Sequence, residues 1–258
     1  MRTAALVLAA LLAGLAGTVL ARGDEHRPAG WDASRLPPSE AGALNIGAPI
    51  PAGSGRHESR WAPVRRPVVA RSRPSARGRP VARLGTRTPE GTSNIVPALE
   101  RAHDARGQVW VRVRLPVLPA DTTGWVPRAA LGGYGIVTTR LVVDRERFTA
   151  TLFRDGRRIF RTRVGVGTEA APTPRGHFWV RNRLTRYRSA FYGPVALGTG
   201  ARSPTLTDWP GGGFIGIHGT DRPDLLPGRV SHGCIRMRNR DIVRLARLLP
   251  MGTPVTVV

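Results

Sequence analysis

The chain is predicted to be mostly β, an all-β class with one helix near the C-terminus. Short runs of β-branched and aromatic residues alternate with clusters of Gly, Pro, Asp and Ser, which is the pattern of short strands joined by turns. One late segment instead has helical spacing, with its apolar positions on one face at Ile242, Leu245, Ala246 and Leu249. Asn239 is the expected cap of this helix, and Pro250 ends it.

Composition predicts two segments before the first folded part. Residues 1–21 have a basic start, an apolar run and small residues at the end, as in a cleaved secretory signal. An uncleaved membrane anchor is the alternative, because the apolar run is nearly long enough to span a bilayer. Residues 22–60 are rich in Pro, Gly and charge, which is typical of a flexible tether.

Two folded units are predicted after the tether, at residues 61–131 and 136–258. Strand-like runs in the first lie at 64–70, 81–84, 109–113 and 125–127. Those in the second lie at 136–143, 148–153, 158–166, 177–180, 214–217 and 253–258. The second unit is long enough to form its own core, so it is expected to fold without residues 22–131.

The charge pattern narrows the class of partner. The net charge is +23, and all 40 basic residues are arginine. In an exported chain this charge favours the anionic polymers of the cell wall, with their carboxylates and phosphates. Nucleic acid is not an expected partner, because the arginines are scattered without interleaved aromatic residues. The membrane is an expected partner only if the signal stays uncleaved.

The only cysteine, Cys234, is the candidate nucleophile. A single thiol cannot form an intramolecular disulfide or supply the paired cysteines of a structural zinc site. Thiolate chemistry near neutral pH needs a nearby base, and His218 and His232 are the candidates. A neighbouring imidazolium would lower the pKa of the thiol. The alternative interpretation is a small buried apolar residue.

Five short stretches of the second unit carry a family resemblance. They are 171–178 (APTPRGHF), 196–199 (ALGT), 217–220 (IHGT), 231–237 (SHGCIRM) and 252–255 (GTPV). Together they resemble the L,D-transpeptidase catalytic domain of the YkuD family of bacterial cell-wall enzymes. This resemblance implies a β-sandwich of mixed sheets with a capping loop over the cleft, and no cofactor. In the first unit, 110–116 (WVRVRLP) and 123–127 (TGWVP) resemble a bacterial SH3-like domain, a small β-barrel.

The resemblance implies a reaction on the stem peptides of peptidoglycan. The family cuts the stem after its third residue, releases the terminal D-alanine and transfers the acyl group to an amine of a neighbouring stem. Water or a protein amine can replace that acceptor, which leaves L,D-carboxypeptidase activity and protein anchoring open.

The resemblance also implies roles for individual residues. Cys234 is the nucleophile and His218 is the general base. Gly233, together with the Cys234 N–H, is the candidate oxyanion site, while Ser231, His232 and Gly219 orient the groups around it. Arg236 and Thr220 are candidate substrate-binding residues. In the capping region, Tyr187, Tyr192 and Trp209 are candidates for contact with the substrate.

Three other functions remain to be weighed. A papain-like endopeptidase is disfavoured, because there the cysteine precedes its histidine, whereas His218 precedes Cys234 here. A non-catalytic wall-binding protein would not need this pair. A metal site made by His218, His232 and Cys234 lacks a carboxylate at ligand spacing, and no metal is expected.

Overall fold

The structure is a computed structural model that describes residues 57–185, 189–206 and 213–258, with the backbone of 50–51. The described residues all belong to one compact unit, Asn45–Val258. They form two large sheets and one α-helix, so the predicted mostly-β class is confirmed. The predicted signal and nearly all of the predicted tether lie outside the described residues. None of the helices in the described ranges is long and apolar enough to cross a membrane.

The first sheet is antiparallel and has eight strands. They are β1 (Ile50–Pro51), β2 (Ser59–Pro63), β3 (Val68–Arg71), β4 (Pro80–Leu84), β5 (Ile95–His103), β6 (Val109–Arg114), β7 (Thr123–Pro127) and β8 (Gly135–Val137). Their order is β4-β3-β7-β6-β5-β2-β8, and β1 pairs with β5. The resemblance of this part to an SH3-like barrel stays a prediction.

The second sheet has ten strands and is mixed. They are β9 (Thr139–Asp144), β10 (Thr149–Arg154), β11 (Arg157–Arg163), β12 (Gly165–Gly167), β13 (Gly176–Leu184), β14 (Ala196–Arg202), β15 (Phe214–His218), β16 (Gly228–Ser231), β17 (Ile235–Arg236) and β18 (Pro254–Val257). Their order is β11-β10-β9-β18-β13-β14-β15-β17-β12-β16. Three neighbouring pairs are parallel, namely β9 with β18, β15 with β17 and β12 with β16.

Two predicted strands differ in the structure. The run 64–70 begins only after β2 has ended, and it forms a strand from Val68 onward, in β3; Pro67, which lacks a backbone N–H for a ladder, directly precedes that strand. The run 136–143 is split at Thr138 between β8 of the first sheet and β9 of the second. Local patterning reports which residues are extended, but it carries no information on which sheet receives them.

The α-helix α1 (Asn239–Leu248) buries the predicted face, with Ile242 and Leu245 fully enclosed. Its N-cap is Arg238 and not Asn239, and no side chain caps it by a hydrogen bond. The predicted cap was therefore wrong. The Asn239 side chain instead accepts a hydrogen bond from the backbone N–H of Thr220, outside the helix.

The two sheets share a core through Trp179 of β13. This side chain is fully buried among the apolar residues of the first sheet, and its indole N–H donates to the carbonyl of Ile95 at 3.0 Å. Close to it, a Cβ placed on Gly252 would lie 2.0 Å from Cδ1 of Trp61, so that indole packs directly on the turn before β18. Removing residues 22–131 would expose this surface, which argues against the expected independence of the second unit.

We expect the described unit to unfold in one transition that depends on Trp179. Trp179→Ala should lower the free energy of unfolding by about 3–5 kcal/mol, because a large buried side chain is lost from a shared core. Trp179→Phe keeps most of the volume but loses the indole N–H and part of the ring system, so its effect should be smaller. Urea denaturation followed by circular dichroism measures both. Two separate transitions in the wild-type protein would contradict the shared core.

Candidate active site

Cys234 lies in a tight turn between β16 and β17 that is closed by Ser231. The Ser231 hydroxyl donates to the carbonyl of Cys234 and accepts the N–H of Gly233 at 3.1 Å. Gly233 has a φ of 110°, a conformation that L side chains rarely adopt. A Cβ there would also lie 2.8 Å from Cδ1 of Ile215. Glycine at this position therefore allows the turn that presents the thiol.

Thr173 supports the same turn from behind. Its side chain is 1% exposed, and its hydroxyl donates to the carbonyl of Gly233 at 2.8 Å. The same oxygen accepts the N–H of Gly167, also at 2.8 Å. Sequence analysis did not place Thr173 in the site, although it lies in the Pro-Thr-Pro run that carries part of the resemblance. That run was the one signal that could have identified it.

The paired strands β15 and β17 bring the thiol and the imidazole to one face of the sheet. The parallel register sets Ile217 opposite Ile235 and His218 opposite Arg236. Because side chains alternate along a strand, His218 and Gly216 share a face. A Cβ on Gly216 would lie 3.7 Å from Cδ2 of His218 and 3.9 Å from Sγ of Cys234. The Gly216 N–H itself donates to that sulfur at 3.4 Å.

His218 is held as a neutral imidazole with a defined tautomer. Its Nδ1 lies 2.6 Å from the carbonyl oxygen of Gly219, which can only accept, so Nδ1 carries the proton. Its Nε2 is buried and has no hydrogen-bond partner among the described residues. Burial lowers the pKa of His218 to about 4, and the charge of Arg236 adds to this, while the bond to Gly219 opposes it. The lone pair of Nε2 is therefore available at neutral pH.

The thiol of Cys234 is also neutral in this environment. Burial raises its pKa, while the Gly216 N–H and the charge of Arg236 act in the opposite direction. The expectation of a thiol pKa lowered by a neighbouring imidazolium is wrong, because the buried imidazole carries no charge. At rest, the thiol and the imidazole on this face of the sheet are both uncharged. Such a pair can deliver a thiolate when the proton moves to Nε2 during attack on a carbonyl.

The turn that carries the Gly219 carbonyl is fixed by Asn239 at the start of α1. The Asn239 side-chain oxygen accepts the N–H of Thr220 at 2.9 Å. Thr220 is 2% exposed, and its hydroxyl accepts the N–H of Arg222 at 3.0 Å. These bonds hold the carbonyl against Nδ1 of His218. Asn239 was predicted from the sequence to cap the helix, and its contact with this turn was not predicted.

A pocket opens over the thiol and the imidazole. Its lining includes Phe191, Tyr192, Phe214, His218, His232, Cys234 and Arg236. The Tyr192 ring stands edge-on to His218, with centroids 4.8 Å apart. The guanidinium carbon of Arg236 lies 4.4 Å from the centroid of the Phe191 ring. Tyr192 therefore packs against the base, and Phe191 packs against the neighbouring guanidinium.

The sequence-predicted residues do not all occupy equivalent places. Cys234, His218 and Arg236 line the pocket together with His232, which is exposed. Gly219 contributes its carbonyl, whereas Thr220 lies outside the pocket lining and is engaged in the turn. Tyr187 and Trp209, two of the candidates in the capping region, lie outside the described residues. In the described ranges, no group of three or more His, Cys, Asp or Glu could hold a metal ion.

Comparison with known proteins identifies the second part of the chain. Residues 138–257 match the family model of YkuD, the L,D-transpeptidase catalytic domain. The resemblance of this part of the chain to the YkuD family of L,D-transpeptidase catalytic domains is confirmed.

Two curated relatives agree with this assignment. A Bacillus licheniformis protein named L,D-transpeptidase YkuD is 34% identical over 46% of this chain and 64% of its own length. Its namesake in Bacillus subtilis is 35% identical over 42% of this chain and 59% of its own length. The chain thus spans less than two thirds of these relatives.

A solved structure is similar to part of the chain. The catalytic domain of the E. faecium L,D-transpeptidase, solved by NMR, is 28% identical and covers 46% of this chain and 96% of that one. The TM-score is 0.36, which is too low to bear on the arrangement of the strands.

The buried neutral His218 predicts a loss of stability in acid. Its pKa is about 4 when folded and near the ordinary 6.5 when unfolded, so between these values the unfolded chain binds more protons. Stability should therefore fall as pH falls from 6.5 to 4, by up to about 3 kcal/mol from this group. Urea unfolding across this range should show a shallower loss for His218→Gln. The exposed His177→Gln is the control, and equal slopes for all three proteins would contradict the prediction.

Loss of the Thr173 hydroxyl should loosen the turn that carries the thiol. Thr173→Val keeps the volume but leaves the Gly167 N–H and the Gly233 carbonyl buried without this partner, at a cost of about 1–3 kcal/mol. We also expect thiol acylation to slow by about tenfold, since small displacements of reacting groups are costly. Thr173→Ser keeps the hydroxyl and is the matched control. If Val and Ser variants acylate at the same rate, Thr173 does not position the thiol.

Proposed function

We propose that this protein is an exported peptidoglycan L,D-transpeptidase. Cys234 attacks the stem-peptide carbonyl after the third residue, the terminal D-alanine leaves, and the acyl-enzyme passes to an amine. The product is a cross-link between the third residues of two stems. One observation supports this most strongly: His218 presents an unpartnered buried Nε2 on the face of the sheet that carries the thiol.

Acylation begins from the neutral pair. As Sγ attacks the carbonyl carbon, Nε2 of His218 takes the thiol proton, and the resulting imidazolium is stabilised by the Gly219 carbonyl at Nδ1. The imidazolium then gives its proton to the amine of the leaving D-alanine, and the thioester remains. The imidazole is neutral again after this step, so it is ready to act as a base once more.

Transfer of the acyl group repeats these roles in reverse. Nε2 removes a proton from the acceptor amine as it attacks the thioester, and the departing sulfur recovers that proton. Water in place of the amine gives L,D-carboxypeptidase activity, and an amine on a protein gives anchoring. Cys234 and His218 would play the same roles with each of these acceptors, so all three reactions are proposed to use the same site.

The oxyanion is proposed to be stabilised by the backbone N–H of Cys234. The other candidate donor, the N–H of Gly233, is already bonded to the Ser231 hydroxyl. Gly233 therefore contributes through the shape of the turn. A well-aimed donor at the position of the developing oxyanion contributes about 3 kcal/mol in other acyl-transfer enzymes.

Arg236 is proposed to bind a carboxylate of the stem peptide. It is 8% exposed, it lines the pocket, and within the described ranges its Nε has no hydrogen-bond partner. A buried cation without a counter-charge is costly, and a guanidinium fork matches a carboxylate geometrically. Substrate binding would therefore place a counter-charge beside this guanidinium. Thr220 is proposed to act only through the turn beside His218.

The cellular setting is proposed from the rest of the sequence. Residues 1–21 are proposed to direct export to the periplasm or cell wall, and the net charge of +23 suits a surface of anionic wall polymers. The first sheet is proposed to hold wall peptide or to act as a spacer. A wholly non-catalytic wall-binding protein is the competing proposal, and it makes no use of Cys234.

The thiol assignment predicts complete dependence of acylation on Cys234. Incubation with a carbapenem, or with a soluble tetrapeptide stem, should give a covalent adduct on the wild-type protein by intact mass. Cys234→Ala should give none. Cys234→Ser should be nearly inactive, because one imidazole cannot overcome the much higher pKa of a hydroxyl. Addition of EDTA should leave the wild-type rate unchanged. Acylation of Cys234→Ser at the wild-type rate would refute the assignment.

A further inference from the structure

Phe214 forms the wall of the pocket on the side of the thiol away from His218. Phe214, Gly216 and His218 alternate along β15, so their side-chain positions share one face. The sulfur of Cys234 accepts the N–H of Gly216, between the other two. Phe214 is half-buried and lines the pocket. The orientation of its ring therefore sets the space beside the nucleophile opposite the base.

Arg181 of β13 covers the Phe214 ring. Its guanidinium carbon lies 3.6 Å from the ring centroid, which is a close cation–π contact. Arg181 occupies an irregularity in the pairing of β13 with β14, between Val180 and Asn182. Bulges of this kind redirect a side chain, and they recur next to active sites. The guanidinium is 2% exposed, so a charged group is buried directly behind the pocket wall.

The counter-charge for Arg181 comes from the other sheet. Glu90 lies in the connection between β4 and β5, and its two oxygens accept from Nη2 of Arg181 at 2.7 and 2.9 Å. Asn182 also donates to Glu90, at 3.1 Å, and to Thr92, at 3.2 Å. Because a buried guanidinium needs a charged partner, the position of Arg181 depends on this loop of the first sheet.

We propose that Glu90 is a positioning residue for substrate binding: it holds Arg181 against Phe214 and so sets the apolar wall beside Cys234. The first sheet then contributes to the site itself, beyond any role as a spacer or wall binder. The acyl-donor stem, whose chain passes the thiol, is the ligand that would contact this wall. This inference rests on the proposed function, but its structural part can be tested without it.

Glu90→Gln tests the link while keeping an oxygen that can accept from Arg181. We expect KM for a tetrapeptide stem to rise about threefold to tenfold, because Glu90 and Arg181 are in contact and act on the pocket wall together. We expect kcat to change less than about twofold, because the wall binds the stem without taking part in the chemical step. Glu100→Gln is the matched control, since Glu100 pairs with Arg112 inside the first sheet and does not line the pocket. Equal KM values for Glu90→Gln and this control would overturn the inference.

A double variant tests whether Glu90 acts through Arg181. Arg181→Met removes the charge and keeps an apolar cover for Phe214, so it should alter KM by itself. In that background, Glu90→Gln should have no further effect on KM. A full additional effect would mean that Glu90 acts by another route and would overturn the inference.

A third measurement separates the inference from the proposed function. The rates of Cys234 alkylation by iodoacetamide and by the bulkier N-phenylmaleimide report access to the thiol without any stem peptide. We expect Glu90→Gln to change the ratio of the two rates by at least about threefold, and Glu100→Gln to leave it unchanged. A changed ratio without any acylation of the wild-type protein would refute the proposed function alone. An unchanged ratio would overturn the inference even if acylation occurs.

Discussion

Burial of the His218 imidazole determines the charge state of the whole site. Enclosed by aromatic rings and close to Arg236, the ring stays neutral, and its single proton is committed to the Gly219 carbonyl. The thiol of Cys234 is also neutral, because its own burial raises its pKa and no imidazolium is present to stabilise a thiolate. The reactive form arises only when a carbonyl carbon accepts the sulfur, which couples proton transfer to attack.

Hydrogen bonds from several separate segments hold this pair in place. The turn of Cys234 is closed by Ser231 and supported by Thr173, whereas the carbonyl that orients His218 is fixed by Asn239. These partners are short polar side chains that form hydrogen bonds with backbone groups. Short side chains have few rotatable bonds, so ordering them costs little conformational entropy. Precise placement of the reacting atoms thus costs little conformational entropy at the moment of reaction.

The two sheets are connected by apolar and by charged contacts. Trp179 of the second sheet completes the core of the first, and its indole satisfies the carbonyl of Ile95. Glu90 of the first sheet in turn satisfies a buried guanidinium of the second. Without the first sheet, Trp179 would be exposed and Arg181 would lose its counter-charge. Because each sheet needs these contacts with the other, the two are expected to unfold together.

The sequence by itself determined the mostly-β class, the apolar face of α1 and the residues that meet at the pocket, Cys234, His218 and Arg236. These follow from local periodicity and from short motifs that can be recognised in a single sequence. Only the tertiary structure decided the protonation of the pair, the hydrogen bond of Asn239 to the turn after His218, and the burial of Trp179 of the second sheet in the core of the first. The physical reason is that desolvation, charge and packing act through space, between residues that the sequence places far apart.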